Sequence, residues 1–151
     1  MSTTLAHLHD ACTAQTHVDT PLGRMLIARS ADGLAGVWFD GQQHHPGTLA
    51  APERPDDPLL RRAAAQLHAY FAGDTGSFDV PLDLHGTPFQ RAVWQALLRI
   101  PAGVTRSYGE IARELGAPRA VRAVGAAVGR NPASVVVPCH RVLGHDGSLT
   151  G

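Results

Sequence analysis

Two helix-start signals in the second half of the chain restrict its fold more than any other feature of the sequence. Thr-Pro-Phe-Gln at residues 87–90 and Ser-Tyr-Gly-Glu at residues 107–110 each place a hydroxyl residue three positions before Gln or Glu. This is the capping-box pattern, in which two side chains satisfy the unpaired amides at the start of a helix. The first signal predicts a helix that continues to Ile100, and the second predicts a short helix that ends at Gly116.

A third helix is predicted to follow the second after a tight turn. Pro118 favours a start at Arg119, and Asn-Pro at residues 131–132 ends the helix at about Gly129. Two short helices joined by a glycine-containing turn are typical of a helix-turn-helix. The third helix would then be the recognition helix of a nucleic-acid-binding domain.

The third helix is predicted to have two unlike sides. Its apolar side carries Val121, Val124 and Val128, and the opposite side carries Arg122 among small residues, namely Gly125, Ala126 and Gly129. A glycine inside a helix costs about 1 kcal/mol relative to alanine, so two glycines on one side indicate the close approach of another backbone. A neighbouring helix and a nucleic-acid groove would both explain them.

The first half is predicted to form a small antiparallel sheet with one helix, and the whole chain to be α+β. Residues 1–15 are polar and are predicted to be irregular. The predicted elements are strands at 16–19, 24–29 and 34–39, a helix that Asp57 caps and Gly73 ends, and an extended piece at 78–84.

The net charge of zero conceals a division between the two halves. Residues 1–85 hold five arginines against ten carboxylates, a net charge of −5, and residues 86–151 hold eight arginines against three, a net charge of +5. This asymmetry indicates either nucleic-acid contact by the basic half or pairing between oppositely charged surfaces. Two cysteines favour a reducing cytoplasm without disulfides, and no apolar run is long enough to span a membrane.

The candidate chemical centre is Cys139. Residues 134–137 are apolar and predict a buried strand, which leads into Pro-Cys-His-Arg-Val at residues 138–142. A neighbouring imidazole and guanidinium favour a thiolate, although His140 can serve Cys139 only across a bend or through a water molecule. A buried, inert cysteine is the alternative. Cys12, in the irregular start, has no such neighbours.

These motifs resemble those of the O6-alkylguanine-DNA alkyltransferases. The matching runs, in the family's order and spacing, are residues 86–94, 107–108, 120–125, 131–132 and 138–142. The resemblance is dense over residues 86–151, and residues 16–85 fit the family's amino-terminal lobe in outline. It implies a ribonuclease H-like lobe at 1–85 and a winged-helix-like, helix-turn-helix active-site domain at 86–151.

The resemblance also implies roles for single residues. Cys139 would accept the alkyl group, His140 would act as its base through a water molecule, and Tyr108 would donate a proton to the departing guanine. The implied DNA-binding residues are Arg122 (the finger that replaces the flipped nucleotide), Ala123, Gly125, Ala126, Asn131 (which would also hold the following turn), Arg130, Thr87 and Gln90. The implied base pocket contains Pro138, Arg141, Val142 and Ser134.

The implied activity is direct-reversal DNA repair. An alkyl group would pass irreversibly from O6-alkylguanine, or O4-alkylthymine, to Cys139, once per molecule and without a cofactor. The partner would be double-stranded DNA, contacted in its minor groove by a monomer in the cytoplasm. Some family members hold a structural zinc in the first lobe, but its ligands have no match here, so no metal is predicted and the nine histidines are interpreted as solvated.

The end of the sequence departs from the family pattern. Family members continue with a Tyr-Gly-rich loop and a helix whose glutamate orients the active-site histidine, whereas this sequence stops at Gly151. We therefore expect the fold to be kept and transfer to be weak or absent. The alternatives are an inactive fragment, a non-catalytic protein that binds alkylguanine lesions, whose known relatives replace the cysteine, and a cysteine hydrolase, for which no oxyanion-hole motif is recognisable.

Overall fold

A computed structural model of the chain describes residues 3–73, 78–101 and 103–138, together with the backbone of residues 142–143. The chain divides into two compact units, Met1–His85 and Gly86–Gly151. The first unit contains α1 (Thr3–Ala11), β1 (Cys12–Thr20), β2 (Gly23–Ser30), β3 (Leu34–Phe39) and α2 (Pro58–Phe71). The second contains α3 (Pro88–Leu98), β4 (Arg106–Ser107), α4 (Tyr108–Glu114), α5 (Val121–Gly129) and β5 (Val142–Leu143). The α+β class is confirmed.

The first unit is built on an antiparallel sheet in the order β1-β2-β3. The hairpin and the third strand are confirmed, and β1 is longer than predicted. The irregular start was wrong, because α1 covers Thr3–Ala11 and β1 begins at Cys12. The helix is held by packing, since Leu5, Leu8 and Cys12 join a buried cluster with Leu26 and Trp38 of the sheet.

Both faces of the sheet are covered. Residues 25–28 of β2 are buried without interruption, although alternate residues of a strand point to opposite faces. Leu26 and Ala28 pack in the cluster with α1. Met25 and Ile27 therefore point to the other face, where α2 packs against all three strands and buries Leu60, among others.

The helix α2 begins as predicted. The Asp57 carboxylate accepts the Leu60 amide at 3.0 Å and pairs with Arg29 at 3.2 Å. The extended piece that follows α2 does not become a full strand. It contacts β3 through one parallel bridge between Leu34 and Leu82, in which the Leu34 amide donates to the Pro81 carbonyl at 2.8 Å.

The second unit is helical, and its core joins α3 to α5. The buried indole Nε1 of Trp94 donates to the Ala127 carbonyl at 2.8 Å. A Cβ on Gly86 would lie 2.6 Å from the Trp94 ring, so this position requires glycine. The Trp94 hydrogen bond joins α3 to the backbone of α5.

Two predicted elements of the second unit were wrong in detail. The third helix begins at Val121, and Pro118 and Arg119 lie in the preceding turn. Residues 134–137 form a turn where a strand was predicted, and the Val137 amide donates to the Ala133 carbonyl at 2.9 Å. Val135 has φ 74° in this turn, a left-handed conformation that β-branched residues rarely adopt. Sequence pattern alone could not reveal it.

Candidate functional site

The start of α4 places Tyr108 at a fixed position. Ser107 Oγ accepts the Glu110 amide at 3.1 Å, and Glu110 Oε1 accepts the Ser107 amide at 3.2 Å. These hydrogen bonds, together with the nearby guanidinium groups of Arg106 and Arg113, hold the pKa of Glu110 below its ordinary value. The capping box therefore stays ionised and intact at neutral pH, with Tyr108 as the first residue of the helix.

The ring of Tyr108 explains one of the two glycines of α5. A Cβ on Gly125 would lie 3.1 Å from Cε2 of Tyr108, whereas a Cβ on Gly129 would meet nothing within 4 Å. Packing within the second unit thus accounts for Gly125. Gly129 faces open space, so packing within the unit does not account for it, and a nucleic-acid groove could approach the helix backbone at this position.

The buried side of α5 differs from the predicted one at two positions. Val124, Ala127 and Val128 are buried. Val121, predicted on the apolar side, is 37% exposed. Val121 is the first residue of α5. Neither the exposure of Val121 nor the burial of Ala127 was predicted from the sequence.

The exposed side of α5 is small, cationic and free of carboxylates in its sequence. Its exposed members besides Val121 are Arg122, Ala123, Ala126, Gly129 and, just after the helix, Arg130. Arg99, elsewhere in the unit, is less able to attract a polyanion, because its charge is balanced by Glu114 at 2.8 Å. This side can approach a polyanion closely without carboxylates on the helix to repel it.

Asn131 braces the turn that follows α5. The side chain is only 7% exposed. Its Nδ2 donates to the Val137 carbonyl at 2.9 Å, and its Oδ1 accepts the Ala133 amide at 2.9 Å. Within the braced segment Ser134 is half-buried and Pro138 is buried. The chain therefore leaves the recognition helix along a path that one buried amide group determines.

The path resumes at β5, which pairs in parallel with β4. Val142 lies opposite Arg106, and Leu143 lies opposite Ser107, the cap of α4. Cys139, His140 and Arg141 lie outside the described residues, and for Val142 only the backbone is described. The described chain on both sides of this tripeptide is therefore tied to the helix-turn-helix, through Asn131 before it and β4 after it.

Thr87 and Gln90 lie apart in sequence from this arrangement, at the start of α3. Thr87 Oγ1 accepts the Gln90 amide at 3.1 Å, and Gln90 Oε1 accepts the Thr87 amide at 3.0 Å. The predicted capping box is confirmed. The acceptor oxygens of both side chains are committed to it, which leaves their donors for any other contact.

The other cysteine has a different environment from the predicted one. Cys12 is buried at the first position of β1. Burial, with a smaller contribution from the Asp83 carboxylate, raises the pKa of its thiol from 9.0 to about 11. Cys12 is therefore a protonated core residue at neutral pH, unsuited to nucleophilic attack.

The described residues were also searched for metal sites and membrane spans. Among them, no three His, Cys, Asp or Glu side chains lie together in a way that could hold a metal ion. Several histidines have protein partners instead of the solvated state predicted for them; His9, for example, contacts the Pro46 carbonyl at 2.8 Å and His85 contacts Asp83 at 3.0 Å. No helix in the described ranges is both long enough and apolar enough to cross a bilayer.

Comparison with known proteins identifies the family. Residues 14–84 match the ribonuclease-like domain of 6-O-methylguanine DNA methyltransferase, and residues 88–151 match its DNA-binding domain. A methylated-DNA–protein-cysteine methyltransferase of Mycobacterium tuberculosis is 49% identical over 134 residues, which are 89% of this chain and 80% of the relative. The chain belongs to the 6-O-methylguanine DNA methyltransferase family.

Other members of the methyltransferase family are similar in sequence and in structure. The constitutive methylated-DNA–protein-cysteine methyltransferase of Bacillus subtilis is 45% identical over 142 residues, covering 90% of this chain and 84% of the relative. The crystal structure of Mycobacterium tuberculosis OGT in complex with DNA matches with a TM-score of 0.80 at 47% identity, covering 92% of this chain and 83% of that one. The family resemblance inferred from the motifs is confirmed.

Proposed function

We propose that this methyltransferase-family chain repairs alkylated DNA by transferring an alkyl group from O6 of guanine to the sulfur of Cys139. The thiolate attacks the alkyl carbon and forms a carbon–sulfur bond. The carbon–oxygen bond breaks, its electron pair passes to the base, and a proton delivered to the base restores guanine. The observation that carries the proposal is the near-half identity to methylated-DNA–protein-cysteine methyltransferases, together with Pro-Cys-His-Arg at residues 138–141.

The product explains why each molecule would act once. The thioether formed on Cys139 is chemically stable, so the alkyl group stays on the sulfur. The same displacement applies to O4-alkylthymine, whose alkyl group is bonded to an equivalent oxygen. His140 serves as the base that takes the thiol proton through a water molecule, and Tyr108 donates a hydrogen bond to the base as it leaves.

The proposed DNA contact is the exposed side of α5 in the minor groove. Small side chains (Ala123, Ala126 and Gly129) let the helix backbone approach the floor of the groove, while Arg130 can reach a phosphate. Arg122 enters the stack and fills the space of the flipped nucleotide. Flipping is required because a stacked base cannot bring its O6 substituent to a protein thiolate. The complex of the Mycobacterium tuberculosis relative with DNA supports this partner.

The braced turn after α5 supports the proposed chemistry. Asn131 ties Val137 to the end of the recognition helix, so that DNA contact and the cysteine-bearing segment are coupled through a short, buried connection. Pro138, Ser134, Arg141 and the backbone of Val142 are proposed to line the base pocket. Thr87 and Gln90 are proposed to donate to the DNA backbone.

The remaining assignments concern the two units and their setting. The first unit is proposed to act as the ribonuclease H-like lobe, and the second to carry out DNA binding and transfer. A monomer in the cytoplasm suits a protein whose substrate is genomic DNA and whose acceptor thiol must stay reduced.

Mass spectrometry after incubation with a duplex that contains one O6-methylguanine tests the proposal. With an incubation long enough for slow transfer to reach completion, we expect one methyl group to be gained and peptide mapping to place it on Cys139. Cys139→Ser should gain none, and Cys12→Ser, whose target thiol is buried and protonated, should react like the wild type. Binding of the duplex without methyl gain would contradict transfer and favour lesion recognition alone.

A further inference from the structure

Two large apolar side chains are conspicuously exposed among the described residues. Leu22 is 73% exposed and lies in the turn between β1 and β2, and Val121 is 37% exposed and lies at the first position of α5. Leu22 occupies a hairpin turn, where single exposed apolar residues are ordinary. Val121 stands immediately before Arg122 on the helix proposed to contact DNA, where an exposed apolar side chain can pack against the duplex.

The position of Val121 on the helix defines what it can contact. Residues four apart lie one turn apart on one face, so Val121, Gly125 and Gly129 form one row along α5. The middle of this row lies against the Tyr108 ring, and its far end is open. Val121 is therefore the apolar end of a row whose other two members are glycines, and it directly precedes Arg122 in the sequence.

The surroundings of Val121 favour a nucleic-acid partner over a protein one. The helix carries no carboxylate, and exposed Arg122 and Arg130 stand on the same surface. Residues 86–151 hold eight arginines against three carboxylates. The walls of the minor groove are deoxyribose rings, which present C–H groups to a protein, and minor-groove proteins use apolar side chains as well as cationic ones in their contacts.

We propose that Val121 is a positioning residue for the damaged nucleotide, whose isopropyl group packs on the deoxyribose wall beside the flipped base. This inference rests on the proposed DNA-repair function and adds a specific contact to it. The contact removes apolar surface from water only when the duplex is bound, so it strengthens DNA binding without touching the thiolate or the alkyl carbon. Val121 is thereby distinguished from the groups that take part in transfer.

Three variants separate this role from a structural one. Val121→Ala removes two methyl groups, Val121→Thr keeps the shape and replaces one methyl with a hydroxyl, and Leu22→Ala removes exposed apolar surface far from α5 in sequence. Binding to an O6-methylguanine duplex is measured by fluorescence anisotropy at several salt concentrations, with thermal unfolding measured alongside. We expect about three- to tenfold weaker binding for both Val121 variants, with an unchanged salt slope, and no change for Leu22→Ala.

A second readout uses the free base in place of DNA. The rate of Cys139 alkylation by free O6-benzylguanine should be the same in Val121→Ala and the wild type, because the free base presents no sugar wall. Unchanged duplex affinity in both Val121 variants, or an equal loss with duplex and free base, would overturn the proposal. Anisotropy measures binding and does not require transfer. If the repair function fails, the wild type will bind the duplex without becoming alkylated, and the affinities of the wild type and the Val121 variants can still be compared.

Discussion

At the scale of single residues, Asn131 is a candidate site residue whose buried side chain makes two hydrogen bonds. A carboxamide offers a donor and an acceptor at once, and here both are used inside the protein, across the turn that leads towards Cys139. Neither hydrogen bond can be replaced by water without opening the turn, because the side chain is buried. The residue therefore links stability with the proposed function.

Asn131→Ala should lower the free energy of unfolding by about 2–4 kcal/mol, because the Ala133 amide and the Val137 carbonyl both lose their side-chain partner in a buried site. Urea denaturation measures this change. Arg130→Ala, at the exposed neighbouring position, should stay within about 0.5 kcal/mol of the wild type. Equal effects of the two substitutions would show that the brace contributes nothing.

Cys12 predicts a specific dependence of stability on alkaline pH. The pKa of its thiol is about 11 in the folded chain against an ordinary value of 9.0, so the folded state holds the proton more tightly than the unfolded state. The stabilising contribution is complete below pH 9 and is lost as the pH rises from 9.0 to about 11. Denaturation of wild type and Cys12→Ala across this range should show a steeper loss in the wild type; parallel curves would refute the buried-thiol assignment.

At the scale of elements, the ring of Tyr108, the first residue of α4, lies against α5 at Gly125. The two glycines of α5 look equivalent in the sequence, since both lie on the side of Arg122, but the structure separates them. One contacts an aromatic ring and the other faces open space. Alanine at position 129 therefore tests intrinsic helix propensity alone, and alanine at position 125 tests the same propensity together with packing against the ring.

Gly129→Ala should raise the free energy of unfolding by about 0.5–1 kcal/mol, because alanine favours the helix and its methyl group meets no neighbour. Gly125→Ala should lose that gain, since its methyl group would lie 3.1 Å from Tyr108 Cε2. The displaced ring should slow alkylation by the free base as well as by DNA, in contrast to Val121→Ala. Thermal unfolding and single-turnover rates test both variants. An equal rise in stability for Gly125→Ala and Gly129→Ala would show that the Tyr108 ring moves aside without an energetic cost.

At the scale of the whole molecule, the two units have opposite charge, −5 for residues 1–85 and +5 for residues 86–151. The described ion pairs Arg29–Asp57 and Arg99–Glu114 each join residues of a single unit. The basic second unit agrees with the proposed DNA-binding role, because a cationic surface attracts the phosphate backbone.

Few arginines lie on or beside α5, so the salt dependence of DNA binding should be modest, with a slope of about −3 in log Kobs against log salt concentration. Arg130→Gln should reduce the magnitude of this slope by about 1, because Arg130 is the exposed arginine proposed to reach a phosphate. Arg99→Gln should leave it unchanged, because the Arg99 charge is balanced by Glu114. A slope near −10, or equal effects of the two substitutions, would place the phosphate contacts elsewhere.

The sequence by itself determined the features that depend on neighbours within one turn. The capping boxes at Thr87 and Ser107, the cap at Asp57 and the third strand at Leu34–Phe39 follow from side chains that bond or alternate locally. The family was readable for a related reason, since its motifs are contiguous runs of residues.

Only the tertiary structure decided the features in which distant packing outweighs local preference. The polar segment at Thr3–Ala11 is a helix because Leu5 and Leu8 pack against the sheet. The β-branched run at 134–137 is a turn because Asn131, six residues before Val137, takes the hydrogen bond that a strand would have given to a neighbouring strand. The exposure of Val121 depends on which elements pack against α5. The spacing of apolar residues within the helix does not predict which elements those are.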